Sequence, residues 1–473
     1  MEQDLLGNEI RERVSVRDPS AHEPFVTGRY ISDKVAQGKA LIVPDEDKYN
    51  TIDPSSIVVL RKADITWFPL INQAAGVIVE EGTISGHFSQ MLREMNKPAV
   101  YAAHDAKKLI KQDQEITICP GEITMGPAVG YVINGAVELK VTKESLPEFE
   151  TPKTKVFAIS SFVGGLKQIL HAPVAGVGVM RSDFLNNSVF GVHPSALLDY
   201  SRGLLESRDP DANKNLDKLL SESFGFSSSR AGYTARDLYV NVMAKKIADV
   251  AKLLPGKRIN YRLCDLRSDD SKRLLGGDTY ELREDNPAQG KRGAYRLLKE
   301  RETLYLECDI IKKAMEISGA DINIFIPFCR TPFEVEKLVG LINDYGLTAP
   351  EIGGMVEVSG MPYIIDEFTD TLDFFVFGPF DMTQGLFMMD REYAFASDYA
   401  HPNNRATIGA FKLMLKNLQG FGKDVYLPTS DLFHLEEYMP LLGDTKLHLA
   451  CFPDTFERDV LFTNKKELEC GYK

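Results

Sequence analysis

Two hydrophobic rhythms divide the chain. From about residue 26 to 140, short apolar runs recur: KALIVP (39–44), SIVVL (56–60), AGVIVEE (75–81), PAVYA (98–102), EITICP (115–120) and GYVINGAV (130–137). Gly, Pro and Asp separate them, and runs of this kind predict buried strands. One segment breaks the rhythm. In SGHFSQMLREMN (85–96), Phe88, Met91, Leu92 and Met95 fall at helical spacing, which predicts an amphipathic helix. Residues 26–140 are therefore expected to form a compact β/α domain.

From about residue 155 strands alternate with helices. The strands are VFAIS, GVGVM, INYRL, INIFIPF, GGMVEV, FFVFG, DVYLP and KLHLA; ETLYLECDIIKKAMEIS and PFEVEKLVGLINDYG are amphipathic helices between them. This alternation predicts an α/β fold, an eight-stranded (β/α)8 TIM-type barrel over 155–473, with an open doubly wound sheet as the alternative. Residues 1–25 read as a loose N-terminal arm. The charged, proline-bearing stretch 141–154 reads as a linker, across which the first domain could swing.

Composition narrows the partners. The net charge of −13 argues against non-specific binding to nucleic acid or an anionic membrane. No apolar run reaches the roughly 20 residues that span a bilayer. The six cysteines form no CxxC pair and no zinc spacing, which suits a reducing cytoplasm.

His87 is the first residue with chemistry in view. It follows a strand and a Gly/Thr/Ser turn, at the expected start of the helix. Exposed amides and the positive end of the helix dipole favour a phosphoryl group there. Imidazole is a good nucleophile near neutral pH and passes phosphate on readily. Thr83 and Ser85 could hydrogen-bond the phosphate or fix the ring.

The run Gly82-Thr83-Ile84-Ser85-Gly86-His87, followed by Asn96-Lys97-Pro98-Ala99-Val100, resembles the swivelling phosphohistidine domain of the phosphoenolpyruvate-utilising enzymes. Gly86 is an insertion relative to the commonest form of that turn. The resemblance implies that His87 is a phosphohistidine carried between two stations.

The second half places Arg at strand ends: Arg181 in GVMRSDF, Arg262 in YRLCD, Arg292 in NPAQGKRG and Arg330 in IPFCRT. Barrel active sites gather at those ends, and converging guanidinium groups grip phosphate or carboxylate. Glu357 in GGMVEVSG and Asp381 in FFVFGPFDMTQG end two further strands. Two carboxylates with waters and a phosphate suit Mg²⁺. These segments resemble the substrate barrel of pyruvate, water dikinases (phosphoenolpyruvate synthases), together with Gly191-Val192-His193-Pro194. The resemblance makes the four arginines phosphate- and substrate-binding residues, and Glu357 and Asp381 the Mg²⁺ ligands.

Two departures bear on the acceptor. Where the family carries Asn before its metal-binding Asp, this chain has Phe380. The late-barrel loop in which the family carries a proton-donating Cys reads Val425-Tyr426-Leu427-Pro428-Thr429-Ser430-Asp431. An enolate route without that acid forgoes a contribution of about 10²–10⁴-fold. Phe380 and Tyr426 are expected to wall an aromatic pocket that suits a phenol or another hydroxyl acceptor, as in the similar phenylphosphate synthases. Phe375 and Phe377 alternate into the core.

The resemblance also implies an ATP source. About 25 residues precede the first domain and there is no Walker-type loop, so a separate ATP-grasp subunit is expected to charge His87. A homodimer through the barrel is compatible with the family. The alternatives are synthase-type pyruvate phosphorylation with Tyr426, Ser430 or Asp431 as proton donor, and a non-catalytic regulatory homologue.

Overall fold

The computed structural model describes residues 10–18, 21–44, 52–62, 67–82, 86–121, 129–227, 232–389, 403–429, 446–469 and 471. Two closed barrels carry the fold. The first is small: β2 (Val26–Ile31), β3 (Ala36–Ile42), β4 (Ile57–Lys62), β5 (Gly76–Glu81), β6 (Ala99–Tyr101), β7 (Glu115–Pro120) and β8 (Val129–Asn134). They close in the order β2-β6-β5-β4-β3-β7-β8, with β3, β4, β5 and β6 paired in parallel and the remaining pairs antiparallel. The predicted helix is present as His87–Met95. Its Phe88, Met91 and Leu92 pack with Val58, Val77 and Val79, as their spacing requires.

The arm and the linker differ from expectation. β1 (Ile10–Val16) pairs antiparallel with β9 (Leu139–Ser145), from Ile10 opposite Ser145 to Val16 opposite Leu139. Val14 and Val141 stand opposite each other in this ribbon. Neither segment shows its pairing locally, because each needs a partner more than a hundred residues away.

The second barrel is the expected one. β10 (Val156–Ile159), β11 (Gly176–Arg181), β12 (Arg258–Arg262), β13 (Asn323–Ile326), β14 (Ile352–Val356), β15 (Phe374–Phe377), β16 (Asp424–Thr429) and β17 (Lys446–Cys451) close in sequence order. All eight neighbouring pairs are parallel, and β17 returns to β10. The closure removes the open-sheet alternative. β11, β13, β14 and β15 are buried along their whole lengths, as parallel strands covered on both faces must be.

The helices start where the chain supplies caps. Thr234 and Asp237 make a capping box for Ala235–Leu253, and Thr331 accepts from Glu334 N before Pro332–Asp344. Such caps contribute about 1 kcal/mol each. His193 caps Pro194–Ser201 by accepting from Ser195 N through Nδ1 at 3.1 Å, and its Nε2 faces Glu281 at 3.1 Å. The Gly-Val-His-Pro run therefore has a structural task, tying the 274–300 segment to the barrel wall. Among the described residues no helix is long and apolar enough to cross a membrane.

Candidate active site

Parallel strands deliver every strand-end residue to one rim. Arg181 closes β11 and Arg262 closes β12. Arg330 follows β13, Glu357 follows β14, and Asp381 lies in the first turn of the helix Pro379–Phe387 after β15. Between them runs a chain of alternating charge. Arg262 Nη2 donates to Asp183 Oδ1 at 2.8 Å, and its Nη1 lies 3.4 Å from Asp265 Oδ2. Arg292 holds Asp265 by two bonds of 3.1 and 2.6 Å and reaches Asp381 Oδ1 at 2.9 Å. Arg292 is 0% exposed. Burial works against its charge, yet Asp265 and Asp381 hold its pKa well above the ordinary value.

Phe328 organises the next layer. It has a positive φ of 50°, a strained conformation for a bulky residue. Its N–H donates to Glu357 Oε1 at 2.8 Å. The guanidinium groups of Arg292 and Arg330 lie 4.2 and 4.6 Å from its ring centre, within cation–π range. Gly293, at φ +55°, lets the chain pass here, since a Cβ there would strike Phe328 and the Pro327 carbonyl. The last glycine of Asn-Pro-Ala-Gln-Gly-Lys-Arg-Gly thus allows Arg292 to lie beside Phe328.

Arg330 differs from the other three arginines. Its side chain donates to the carbonyls of Arg292, Gln289 and Gly290 at 3.4, 3.3 and 2.8 Å. Among the described residues it has no carboxylate partner within ion-pair distance. Burial pulls its pKa down, so an anionic ligand would relieve it.

The carboxylates suit a hard divalent cation. Glu357 is 1% exposed, and among the described residues its Oε2 has no hydrogen-bond partner. Burial, with the charges of Asp381 and Asp265, pushes its pKa up to about 8. Among the described residues no group of three or more His, Cys, Asp or Glu side chains is placed to hold a metal. Mg²⁺ needs fewer, since it is commonly held by one or two carboxylates, waters and substrate phosphate. An orphaned buried oxygen beside a second carboxylate fits that donor set.

The helix His87–Met95 lies across the rim. It begins after Gly86, which is extended at φ −65° and ψ 156° and brings no side-chain cap. The His87 backbone is described; its side chain, with Thr83 and Ser85, lies outside the described residues. The polar side of the helix meets the barrel. Gln90 Oε1 accepts from Arg181 Nη1 at 2.6 Å. Glu94 Oε2 accepts from Ser161 N at 2.8 Å, and its Oε1 lies 3.5 Å from Arg181 Nε. Arg93 pairs with Asp454 through two bonds of 2.8 and 3.1 Å.

Two expected aromatic contacts separate. Phe380 stays at the rim, half-buried, in the turn that carries Asp381. Tyr426 does not join it. It is fully buried inside the barrel with Phe157, Val179, Phe374 and Ala450, near Gly178, where a Cβ would crowd Ala450 and Phe157. The Arg258 guanidinium, at the opposite ends of the strands, lies 5.5 Å from its ring centre. Tyr426 is a filler of the interior, placed there by the inward alternation of β16. Ser430 and Asp431 lie outside the described residues. Phe375 and Phe377 pack outward in the main core, as expected. Cys451 is buried at the end of β17, and burial pushes its thiol pKa up.

Sequence reasoning passed over Asp183, Asp265, Phe328, Arg93, Glu94 and Asp454. All but Asp454 stood inside segments already singled out, without a role assigned to them. Most of their contacts join positions tens to hundreds of residues apart.

Residues 138–427 match the family described as PEP-utilising enzyme, PEP-binding domain, and residues 52–122 match PEP-utilising enzyme, mobile domain. The chain is similar to the phosphoenolpyruvate synthase of Deinococcus radiodurans, 28% identical over 409 residues, 85% of this chain and 50% of that protein. The phosphoenolpyruvate synthase of Synechocystis sp. is 28% identical over 460 residues, 94% and 54% of the two chains. That of Escherichia coli is 27% identical over 424 residues, 88% and 51%. The chain spans about half the length of these curated relatives.

Proposed function

This chain belongs to the PEP-utilising enzymes, and we propose that it is a phosphotransferase component that carries a phosphoryl group on His87 to a small hydroxyl acceptor in the barrel rim. One observation carries the reading: the helix that His87 opens is seated on the rim where Arg181, Arg262, Arg292, Arg330, Glu357 and Asp381 converge. In the transfer the P–N bond at His87 breaks as the bond from the acceptor oxygen to phosphorus forms, and the hydroxyl proton passes to solvent water. Arg330, and the guanidinium groups aligned by Asp183 and Asp265, would hold the charge that spreads over the phosphoryl oxygens.

Mg²⁺ would sit on Glu357 and Asp381 and supply Lewis-acid neutralisation of the phosphate. We propose an ATP-grasp partner as the donor that charges His87. The aromatic edge of Phe380 favours a phenol or a similar hydroxyl compound. The second reading, pyruvate phosphorylation, is favoured by the relatives and weakened by Phe380 and by the burial of Tyr426.

The test is to incubate the chain with labelled ATP, alone and with candidate ATP-grasp partners, and to follow acid-labile, base-stable label. His87→Ala should abolish it. Label that persists in that variant, or that forms equally without any partner, would overturn the carrier or the donor proposal respectively. Comparing phenol with pyruvate as acceptor separates the two readings.

A further inference from the structure

Apart from Arg181, the seat of the His87–Met95 helix is made by side chains outside the proposed transfer site. Arg93 and Asp454 form their two-bond pair with both side chains under a tenth exposed. The Arg93 guanidinium lies 4.3 Å from the Phe452 ring centre, and that of Arg181 lies 5.9 Å from the same ring. Asp454–Arg93 and Glu94–Arg181 are therefore two ion pairs whose guanidinium groups both lie near the Phe452 ring. Asn96 Nδ2 donates to Gln168 Oε1 near the helix C-terminus. Phe68 stacks on Phe162 at 5.8 Å.

Gly165 sets the depth. A Cβ there would overlap the Glu94 carbonyl oxygen, whereas a Cβ on the adjacent Gly164 would meet nothing within 4 Å. Only a bare backbone at 165 lets the helix come this close. Positions 87, 90 and 94 share one face of the helix by their spacing. The contacts of Gln90 and Glu94 with Arg181 therefore fix the rotation of the stripe that begins at position 87.

We infer that the Gly165 notch and the Arg93–Asp454 pair set the docking register of this helix on the barrel. The inference rests on the carrier reading of His87. A carrier must also leave, and the ion pairs of this junction, which accompany the apolar contacts of Phe162 and Phe184, can be released into water, where each group regains its hydration. A wide apolar seat would hold it.

The experiment compares full-length Gly165→Ala, Gly164→Ala, Arg93→Asp, Asp454→Arg and the double variant Arg93→Asp/Asp454→Arg by small-angle X-ray scattering across a NaCl series. Thermal unfolding confirms that each folds. Gly165→Ala and both single charge reversals should lower the docking constant by about a hundredfold or more and enlarge the radius of gyration. Gly164→Ala should match the wild type, and the double variant should regain compactness. A compact Gly165→Ala protein, or a double variant as open as the singles, overturns the inference. Failure of the carrier reading looks different: docking still responds to the charge swap, but no phosphohistidine forms with any donor.

Discussion

Arg292 Nη1 donates to Asp381 Oδ1 at 2.9 Å, so the carboxylate proposed for a cation is already paired with a guanidinium. The same guanidinium grips Asp265. One fully buried side chain thus joins the arginine cluster to the metal-type carboxylates, and neither can shift alone.

Removing Arg292 should therefore be costly. Arg292→Ala leaves two buried carboxylates without their shared partner, and loss of one member of such a network costs about 3–5 kcal/mol. Urea unfolding measures it. Arg292→Lys should recover only part of the loss, because an ammonium cannot span two carboxylates as a planar guanidinium does.

Divalent cation binding should register without turnover. MgCl₂ at about a hundred times its dissociation constant should add about 2.7 kcal/mol to unfolding stability. Glu357→Gln and Asp381→Asn should each lose most of that gain in a thermal-shift titration. A gain unchanged in both variants would remove these residues as ligands.

Glu307 gives a pH dependence with a definite sign. Burial raises its pKa from 4.5 to about 7, despite bonds from Cys264 N and Tyr261 Oη at 3.1 Å each. The folded protein holds this proton more tightly than the unfolded chain. The stability it contributes is full below about pH 4.5 and is lost as pH rises through about 7. Glu307→Gln should flatten the stability–pH curve over that window by about 3 kcal/mol, measured by urea midpoints from pH 4 to 8.

Phe380 tests acceptor choice. Phe380→Asn places a polar amide in the turn that carries Asp381. It should lower transfer to phenols about tenfold or more through lost apolar contact and leave formation of phosphohistidine unchanged. Equal loss with phenol and with short alcohols would show that the ring does not select the acceptor.

Tyr426 should behave as a core residue. Among the described residues its hydroxyl makes no hydrogen bond of ordinary geometry, and the nearest polar side chain acting on it is Asn260. Tyr426→Phe should leave transfer rates within about twofold and stability within about 1 kcal/mol. A large loss of transfer at unchanged stability would return it to the proton-donor role.

All eight strands of the large barrel, the helices Arg301–Ser318 and Pro332–Asp344 and the His87 helix were legible along the chain, because hydrophobic period is a local property. So were Arg181, Arg262, Arg292, Arg330, Glu357 and Asp381 as strand-end residues, since parallel closure carries such ends to one rim. The tertiary structure alone decided what these residues do to one another. It joined β1 to β9, turned Tyr426 inward near Gly178, bent Phe328 between two guanidinium groups, and set Gly165 against the Glu94 carbonyl. Each of these depends on a contact between segments remote in sequence, and no periodicity within either segment encodes its partner.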